Sequence, residues 1–132
     1  MADALVDGAR RAQAAAHAPY SKFPVGAALE SVDGAVFFGC NVENASYGLT
    51  ICAERAALVA AVVSGAHRFR RLAVATSVDP PASPCGACRQ MLAEFGLDLE
   101  IVAVGPTERR GWTLRELLPD AFRADRLPRG DK

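Results

Sequence analysis

Cys52-Ala53-Glu54-Arg55 and Pro84-Cys85-Gly86-Ala87-Cys88 are the two stretches that decide how this chain is interpreted. Three thiols that converge on one cation, with a carboxylate two residues beyond the first, suit zinc-activated hydrolysis. Sulfur ligands hold the metal, and a base beside it moves protons. The other elements of the chain are expected to bring these two stretches together.

Both stretches are predicted to begin helices. Residues 52–64 are rich in Ala, Leu and Val, residues 85–95 resume a helical pattern, and a glycine follows each run. A helix N-terminus favours a thiolate, and Cys85 and Cys88, three residues apart, face the same side. Three protein ligands leave one tetrahedral position of zinc for water, which is the arrangement of a catalytic site.

Glu54 and Arg55 lie two and three residues beyond Cys52. Glu54 is too constrained to ligate the same ion as Cys52, yet near enough to contact a water molecule there, so a buried carboxylate can take up a proton and pass it on. Three electron-rich thiolates oppose the activation of that water. Arg55 is therefore predicted to donate hydrogen bonds to the thiolates and restore part of the metal's positive character.

Taken alone, the Cys85-x-x-Cys88 pair leaves other functions open. The same spacing is typical of a thiol redox pair or of half a structural zinc site. A closed four-cysteine site needs Cys40, which falls in an apolar strand where a buried free thiol is the usual explanation. We expect Cys40 in the core, and a non-catalytic zinc module and a thiol oxidoreductase remain as rivals.

The first part of the chain predicts a helix followed by a hairpin. Residues 2–17 are Ala-rich and end before Pro19, which indicates an opening helix. Two apolar runs, residues 25–30 and 35–42, flank Asp33-Gly34, a strong hairpin signal. The first two strands are therefore expected to be antiparallel neighbours.

The second part of the chain alternates strands and helices. Residues 72–76 and 99–104 predict strands on either side of the second cysteine helix, an order that implies parallel neighbours and helices on the faces of the sheet. Trp112 and Thr113 predict a short fifth strand. Thr113 also offers an N-cap for a last helix over residues 114–118.

The composition indicates one compact domain over residues 1–132, with residues 123–132 as a frayed tail. Hydrophobic residues make up 51% of the sequence and charged residues 23%. Lys+Arg and Asp+Glu are equal at 15 each, so no positive field draws a nucleic acid. With no signal-peptide core and no apolar window of membrane-spanning length, we expect a cytoplasmic protein without a membrane partner.

The two cysteine stretches fit the signature of zinc deaminases, in which one His or Cys and two further Cys hold zinc and a Glu acts as acid and base. With Cys52 in the first position, the chain resembles the small homotetrameric cytidine deaminases of free nucleosides. The polynucleotide editors use histidine there. The likeness runs from about residue 5 to residue 122, through Ala18–Leu29, Gly39–Asn44, Cys52–Arg55, Pro84–Gln90 and Leu117–Phe122.

This resemblance implies a three-layer α/β/α sandwich with a mixed five-stranded sheet and one Zn²⁺ per subunit, held by Cys52, Cys85 and Cys88. It implies hydrolytic deamination of cytidine and 2′-deoxycytidine in pyrimidine salvage, with Glu54 as the catalytic residue. The substrate-binding residues that it implies are Phe23 against the pyrimidine, Asn41 and Glu43 at the 3′-hydroxyl of the ribose, Tyr47, Ala53 and Phe122.

The resemblance also implies a homotetramer with shared active sites, in which Phe122 and Tyr47 reach into a neighbouring subunit and Phe122 stacks on the base. One rival within the same chemistry is a deaminase of aminonucleoside antibiotics of the blasticidin type, against which the ribose motif Asn41-Val42-Glu43-Asn44 argues. Polynucleotide deamination is disfavoured because the neutral domain lacks an interleaved basic and aromatic channel.

Overall fold

A computed structural model describes residues 3–128 of the chain, and the order of its elements is that of an α/β protein. Two short 3-10 turns supplement these elements, at Tyr47–Leu49 and Ala124–Arg126. The helices and strands are α1 (Ala4–Gln13), β1 (Gly26–Ser31), β2 (Val36–Cys40), α2 (Ala53–Val63), β3 (Phe69–Ala75), α3 (Gly86–Ala93), β4 (Glu100–Val104), β5 (Arg109–Thr113) and α4 (Leu114–Leu117).

The strands form one mixed sheet in the order β2-β1-β3-β4-β5. β1 and β2 form the expected antiparallel hairpin around Asp33-Gly34, and β5 pairs antiparallel with β4. The expectation of parallel neighbours holds only for β3 and β4. It is wrong for β2 and β3, because β1 lies between them and pairs antiparallel with both. The crossover through α2 therefore passes over one strand.

The sheet separates two apolar layers, which confirms the three-layer sandwich. Residues of one face, such as Ala28, Ala73 and Val102, pack with the buried residues of α1. Their neighbours along the strands, such as Leu29 and Leu72, point to the opposite face and pack with α2 and α3. Both cysteine helices therefore lie on one side of the sheet.

Close packing of α2 on the sheet depends on Gly39 in β2. A Cβ atom at this position would lie 2.3 Å from the carbonyl oxygen of Ala53 and 2.4 Å from the backbone nitrogen of Ala57. The backbone of α2 therefore rests directly on the strand, with no room for a side chain between them. This contact sets the distance between the sheet and the N-terminus of α2, which carries Cys52 and Glu54.

The opening helix is shorter than the sequence predicts. α1 begins at an N-cap, Asp3, whose carboxylate accepts from the backbone N–H groups of Leu5 and Val6, and it ends at Gln13 rather than near residue 17. The alanines that follow favour helix, but His17 pairs with Val42 in an isolated bridge and its N–H donates to the carbonyl of Asn41 over 2.9 Å. Tertiary pairing overrides helix propensity here.

The last elements agree with the sequence. Thr113 caps α4 in a capping box with Glu116, as its position before the final helix predicts. Of the tail expected to fray, residues 123–128 contain a 3-10 turn, and Arg126 forms an ion pair with Asp120, which lies just before the tail. Residues 129–132 lie outside the described residues. Within residues 3–128 no helix combines the length and the apolarity needed to cross a membrane.

Candidate active site

Three thiols meet where α2 and α3 begin. Cys52 and Cys85 are the N-cap residues of the two helices, and Cys88 lies one turn into α3. The Sγ atoms of Cys52 and Cys85 are 3.8 Å apart, and all three Sγ atoms lie within 4.8 Å of one another. Zn–S bonds of about 2.3 Å in a tetrahedron place two sulfurs about 3.8 Å apart. The donor set therefore fits zinc in both chemistry and spacing.

The ionisation of these thiols is strongly interdependent. The pKa of Cys52 is lowered to about 5, chiefly by a side-chain hydrogen bond with Cys88 and also by Cys85 and Arg55, against the opposing effect of burial. The same contact with Cys52, together with burial, raises the pKa of Cys88. Three thiolates this close repel one another unless a cation lies between them, so the arrangement favours a metal.

Glu54 is the buried carboxyl group beside the thiols. The residue is 6% exposed and its side chain lines the adjoining cavity. Loss of solvation raises the pKa of Glu54 to about 7, and the nearby charge of Cys52 acts in the same direction. A carboxyl group with a pKa near neutrality can both accept and return a proton, which suits general acid and base catalysis.

Arg55 offers an unused donor next to the first thiol. Its Nε atom is buried and has no hydrogen-bond partner within residues 3–128. A contact with Arg55 also lowers the pKa of Cys52. A buried donor without an acceptor is costly, and a zinc-bound thiolate would satisfy it. The hydrogen bond between Arg55 and a thiolate stays a prediction.

A cavity of about 260 Å³ opens beside the thiols. Two of the cysteines and five of the other residues singled out from the sequence line it, so distant parts of the chain converge on one space. The predicted residues on its wall are Phe23, Asn41, Glu43, Cys52, Ala53, Glu54 and Cys85.

Asn41 lines this cavity and lies just past the end of β2 rather than on the strand as expected. Its Oδ1 accepts from the backbone N–H of Val25 over 2.9 Å, and its Nδ2 donates to the carbonyl of Phe23 over 2.9 Å. One lone pair and one N–H of the amide remain for a ligand. The amide therefore anchors the loop before β1 and still presents polar atoms to the cavity.

Glu43 is held by the loop that carries Ser21. Its Oε1 accepts from the backbone N–H groups of Tyr20 and Ser21 over 3.0 and 3.1 Å, and the Ser21 hydroxyl donates to Oε2. The hydroxyl contact is the main reason why the pKa of Glu43 lies below its usual range. Glu43 is thus an ionised, oriented acceptor on the cavity wall.

Tyr47 and Phe122 are not brought to the cavity wall. Tyr47 is 74% exposed and its ring lies 5.9 Å from that of Tyr20, in an adjoining pocket that shares Glu43 and Ser21 with the cavity. Phe122 is 58% exposed, with its carbonyl bound by the side-chain amide of Gln90 over 2.7 Å. Neither residue lines the 260 Å³ cavity beside the thiols.

Cys40 takes no part in the three-thiol group. It ends β2 and is half-buried, so the expectation of a fully buried core thiol is wrong. β2 is an edge strand, and every one of its residues except Gly39 is exposed or half-buried.

Sequence reasoning missed several residues that shape the site. Ser21 orients Glu43, and Ser83, immediately before Pro84-Cys85, lines the cavity. Arg89, next to Cys88, binds Ser83 and the carbonyl of Pro84. Proximity to a cysteine motif was the available signal for Ser83 and Arg89, whereas nothing local marks Ser21 as a partner of a glutamate 22 residues away.

A three-thiol group that fits zinc and a buried glutamate beside it, on one cavity of a three-layer α/β/α fold, are the arrangement of a zinc-dependent hydrolase. The family model described as the cytidine and deoxycytidylate deaminase zinc-binding region matches residues 2–104. The chain belongs to this family.

Named relatives and a solved structure agree with that assignment. A cytidine deaminase of Mycobacterium tuberculosis is 48% identical over 125 residues, covering 95% of this chain and 92% of the relative. One from Sporosarcina psychrophila is 44% identical, covering 93% and 92%. The crystal structure of a cytidine deaminase from Burkholderia pseudomallei superposes with a TM-score of 0.86 at 48% identity, covering 92% of this chain and all of that one.

Proposed function

We propose that this protein hydrolyses cytidine and 2′-deoxycytidine to uridine and 2′-deoxyuridine with release of ammonia, as an enzyme of pyrimidine salvage. The observation that carries the proposal is the convergence of Cys52, Cys85 and Glu54 on one cavity of about 260 Å³. Relatives at 44 to 48% identity that are named cytidine deaminases support the choice of substrate.

Cys52, Cys85 and Cys88 would hold the zinc ion, which when bound supplies an electrophilic centre that activates water. Glu54 takes up one proton that the attacking water loses and delivers it to N3 of the cytosine ring. The same carboxylate carries the second water proton to the amino group, which leaves C4 as ammonia while the new C4–O bond becomes the carbonyl of the product. A carboxyl group whose pKa lies near 7 can make both transfers.

The other end of the cavity would bind the nucleoside. Phe23 packs against the pyrimidine, and Asn41 and Glu43 receive the 3′-hydroxyl of the sugar. The free polar atoms of the Asn41 amide and the ionised carboxylate of Glu43 support these roles. Contacts at the 3′ position do not discriminate at the 2′ position, so both ribose and deoxyribose substrates are accepted.

We further propose a homotetramer in the cytoplasm. Phe122 and Tyr47 expose large rings away from their own cavity, which supports their insertion into a neighbouring subunit. All four cysteines are free, as suits a compartment in which thiols stay reduced. Size measurement in solution tests the assembly, and a dimer or monomer with full activity would contradict shared sites.

An ultraviolet assay on one preparation of known zinc content tests the function. Cytidine and deoxycytidine are expected to turn over, whereas cytidine monophosphate, single-stranded DNA and an aminonucleoside antibiotic are not. Turnover of the antibiotic alone would favour the rival within the same chemistry. A zinc-loaded protein inactive on every nucleoside would refute the proposal.

Replacing Glu54 with Gln tests the proton-transfer role. The variant is expected to keep its zinc and its fold but to lose several orders of magnitude in kcat, because proton transfer and positioning of the water are lost together. Glu94→Gln, on the exposed end of α3, is the matched control and should behave as wild type. Near-normal turnover by Glu54→Gln would rule out this mechanism.

A further inference from the structure

Arg89 follows Cys88 on α3 and makes three hydrogen bonds with its guanidinium group. Nε donates to the carbonyl of Pro84 over 2.7 Å, one terminal nitrogen donates to the hydroxyl of Ser83 over 2.8 Å, and the other donates to the carbonyl of Leu117 over 2.9 Å. The side chain thus folds back over the start of its own helix and also reaches the end of α4.

These contacts are unusual for an arginine in this position. Arg89 is half-buried in the first part of α3, where the helix dipole disfavours a cation. Within the described chain no carboxylate forms an ion pair with it. Its partners are two carbonyl oxygens and a hydroxyl, spread over the planar fork that lysine cannot reproduce. The guanidinium group therefore orients backbone carbonyls and a hydroxyl rather than neutralising a carboxylate.

The partners of Arg89 are parts of the site wall. Ser83 lines the cavity, and the buried Pro84 immediately precedes Cys85. Fixing the Pro84 carbonyl limits the movement of the peptide that leads into a zinc ligand. Leu117 ends α4, and the segment that follows is held again at the carbonyl of Phe122 by Gln90, the next residue on α3.

We infer that Arg89 is a positioning residue for the proposed deamination, which holds the Ser83–Pro84 wall and thereby Cys85 in place at the reacting end of the cavity. This inference rests on the proposed function. The contacts assigned to the sugar come from Asn41 and Glu43, on other elements, so loosening this wall affects the chemical step and the retention of metal more than the binding of substrate.

The test compares Arg89→Gln and Arg89→Lys with wild type. Arg115→Gln is the control, because that arginine is 63% exposed and its ion-pair partner among residues 3–128 is the surface residue Asp98. We measure zinc content, kcat and KM for cytidine at equal zinc content, and the rate at which zinc passes to a coloured chelator. Substitutions behind a metal ligand typically change affinity or activity by about 10- to 100-fold.

Arg89→Gln is expected to lower kcat by about 10- to 100-fold, with KM changed by less than about threefold, and to speed zinc transfer by about tenfold. Arg89→Lys should recover part of both losses, because it keeps one donor. Arg115→Gln should match wild type in all three measurements.

A kcat and a zinc-transfer rate within about twofold of wild type would overturn the inference, even if the melting temperature falls, since that result describes a purely structural contact. Where Arg89→Gln does not fold, Arg89→Lys decides by the same criteria. An inactive wild type would refute the proposed function instead, and the zinc-transfer rates would still test the role of Arg89.

Discussion

The side-chain oxygen of Asn41 accepts a hydrogen bond from the backbone N–H of Val25 over 2.9 Å, at the point where the chain enters β1. With the second bond, from its Nδ2 to the carbonyl of Phe23, the amide adds to the backbone bond from the Asn41 N–H to the Val25 carbonyl and extends the contact between the two segments beyond the strand pair Gly26–Cys40. One side chain thereby connects the loop carrying Phe23 to the strand beside it.

Asn41→Ala is expected to lower the free energy of unfolding by about 2 kcal/mol, because it leaves two backbone groups without partners. Urea unfolding at fixed zinc concentration measures the loss. Asn44→Ala removes an exposed loop contact to the Ser46 N–H and should cost less than about 0.5 kcal/mol. Equal costs for the two variants would show that the Asn41 bridge does not stabilise the fold.

Gly39→Ala is expected to displace the start of α2. The added methyl group would lie 2.3 Å from the carbonyl of Ala53, a backbone atom that cannot rotate away. We expect a loss of about 3 kcal/mol or more, with reduced zinc content. Gly48→Ala is the control, since nothing lies within 4 Å of a Cβ there. Thermal unfolding and metal analysis measure the two effects. A Gly39→Ala variant with the stability and zinc content of the wild type would refute the close packing of α2 on β2.

The carboxylate of Asp3 joins three elements, and its removal should weaken the protein above pH 4. Arg71 binds both carboxylate oxygens, over 3.0 and 2.6 Å, and Arg109 binds Oδ2 over 3.0 Å. The Arg71 hydrogen bond holds the pKa of Asp3 well below its usual range, against a smaller opposing effect of burial. Asp3→Asn is expected to lose about 1.5 to 3 kcal/mol of unfolding free energy at pH 7.

The pH dependence of that loss follows from the lowered pKa. The ionised carboxylate contributes its full stability above the unfolded pKa of about 4, and the contribution declines as pH falls toward the lower folded value. Wild type and Asp3→Asn should therefore converge in stability as the pH drops below about 4. Asp98→Asn, whose carboxylate is 95% exposed, should show a difference near zero throughout. A constant gap at all pH values would contradict the ion-pair interpretation.

Cys88→Ala is expected to lose most of its zinc and to unfold at a lower temperature, because metal joins the starts of α2 and α3 and its binding energy contributes to folding. Cys40→Ala should keep one zinc per subunit, since Cys40 lies outside the three-thiol group. Metal analysis of both variants is the measurement. Loss of zinc in Cys40→Ala would instead favour a closed four-cysteine site, and dithiol turnover inhibited by zinc would favour an oxidoreductase.

Features encoded locally could be predicted from the sequence. Asp33-Gly34 fixes a hairpin, Thr113 supplies its own capping hydroxyl, and the cysteines at 52 and 85 mark helix starts. Each depends on residues a few positions apart, so pattern and turn chemistry suffice. The three-thiol group follows once the two helix starts lie on one face of the sheet.

Features that depend on distant packing could not be predicted. The position of β1 between β2 and β3 depends on long-range strand pairing, and the periodicity of a strand does not say which other strands it pairs with. α1 ends early because the His17 backbone pairs with a strand extension 25 residues away. The hydrogen bonds of Arg89 and Ser21 link segments that the whole fold brings together, and no pattern in the sequence predicts such contacts.

The two helices that meet at the thiols have one further consequence. Neither Cys52 nor Cys85 caps its helix with a side-chain hydrogen bond, so the partial positive charge of each helix start, about half an elementary charge, faces the sulfurs. With zinc bound, these two starts offset the single negative charge left by three thiolates and one divalent ion, while Arg55 offsets an ionised Glu54. The positive helix starts, the metal and Arg55 thus lower the electrostatic cost of several ionised groups lying together near the core.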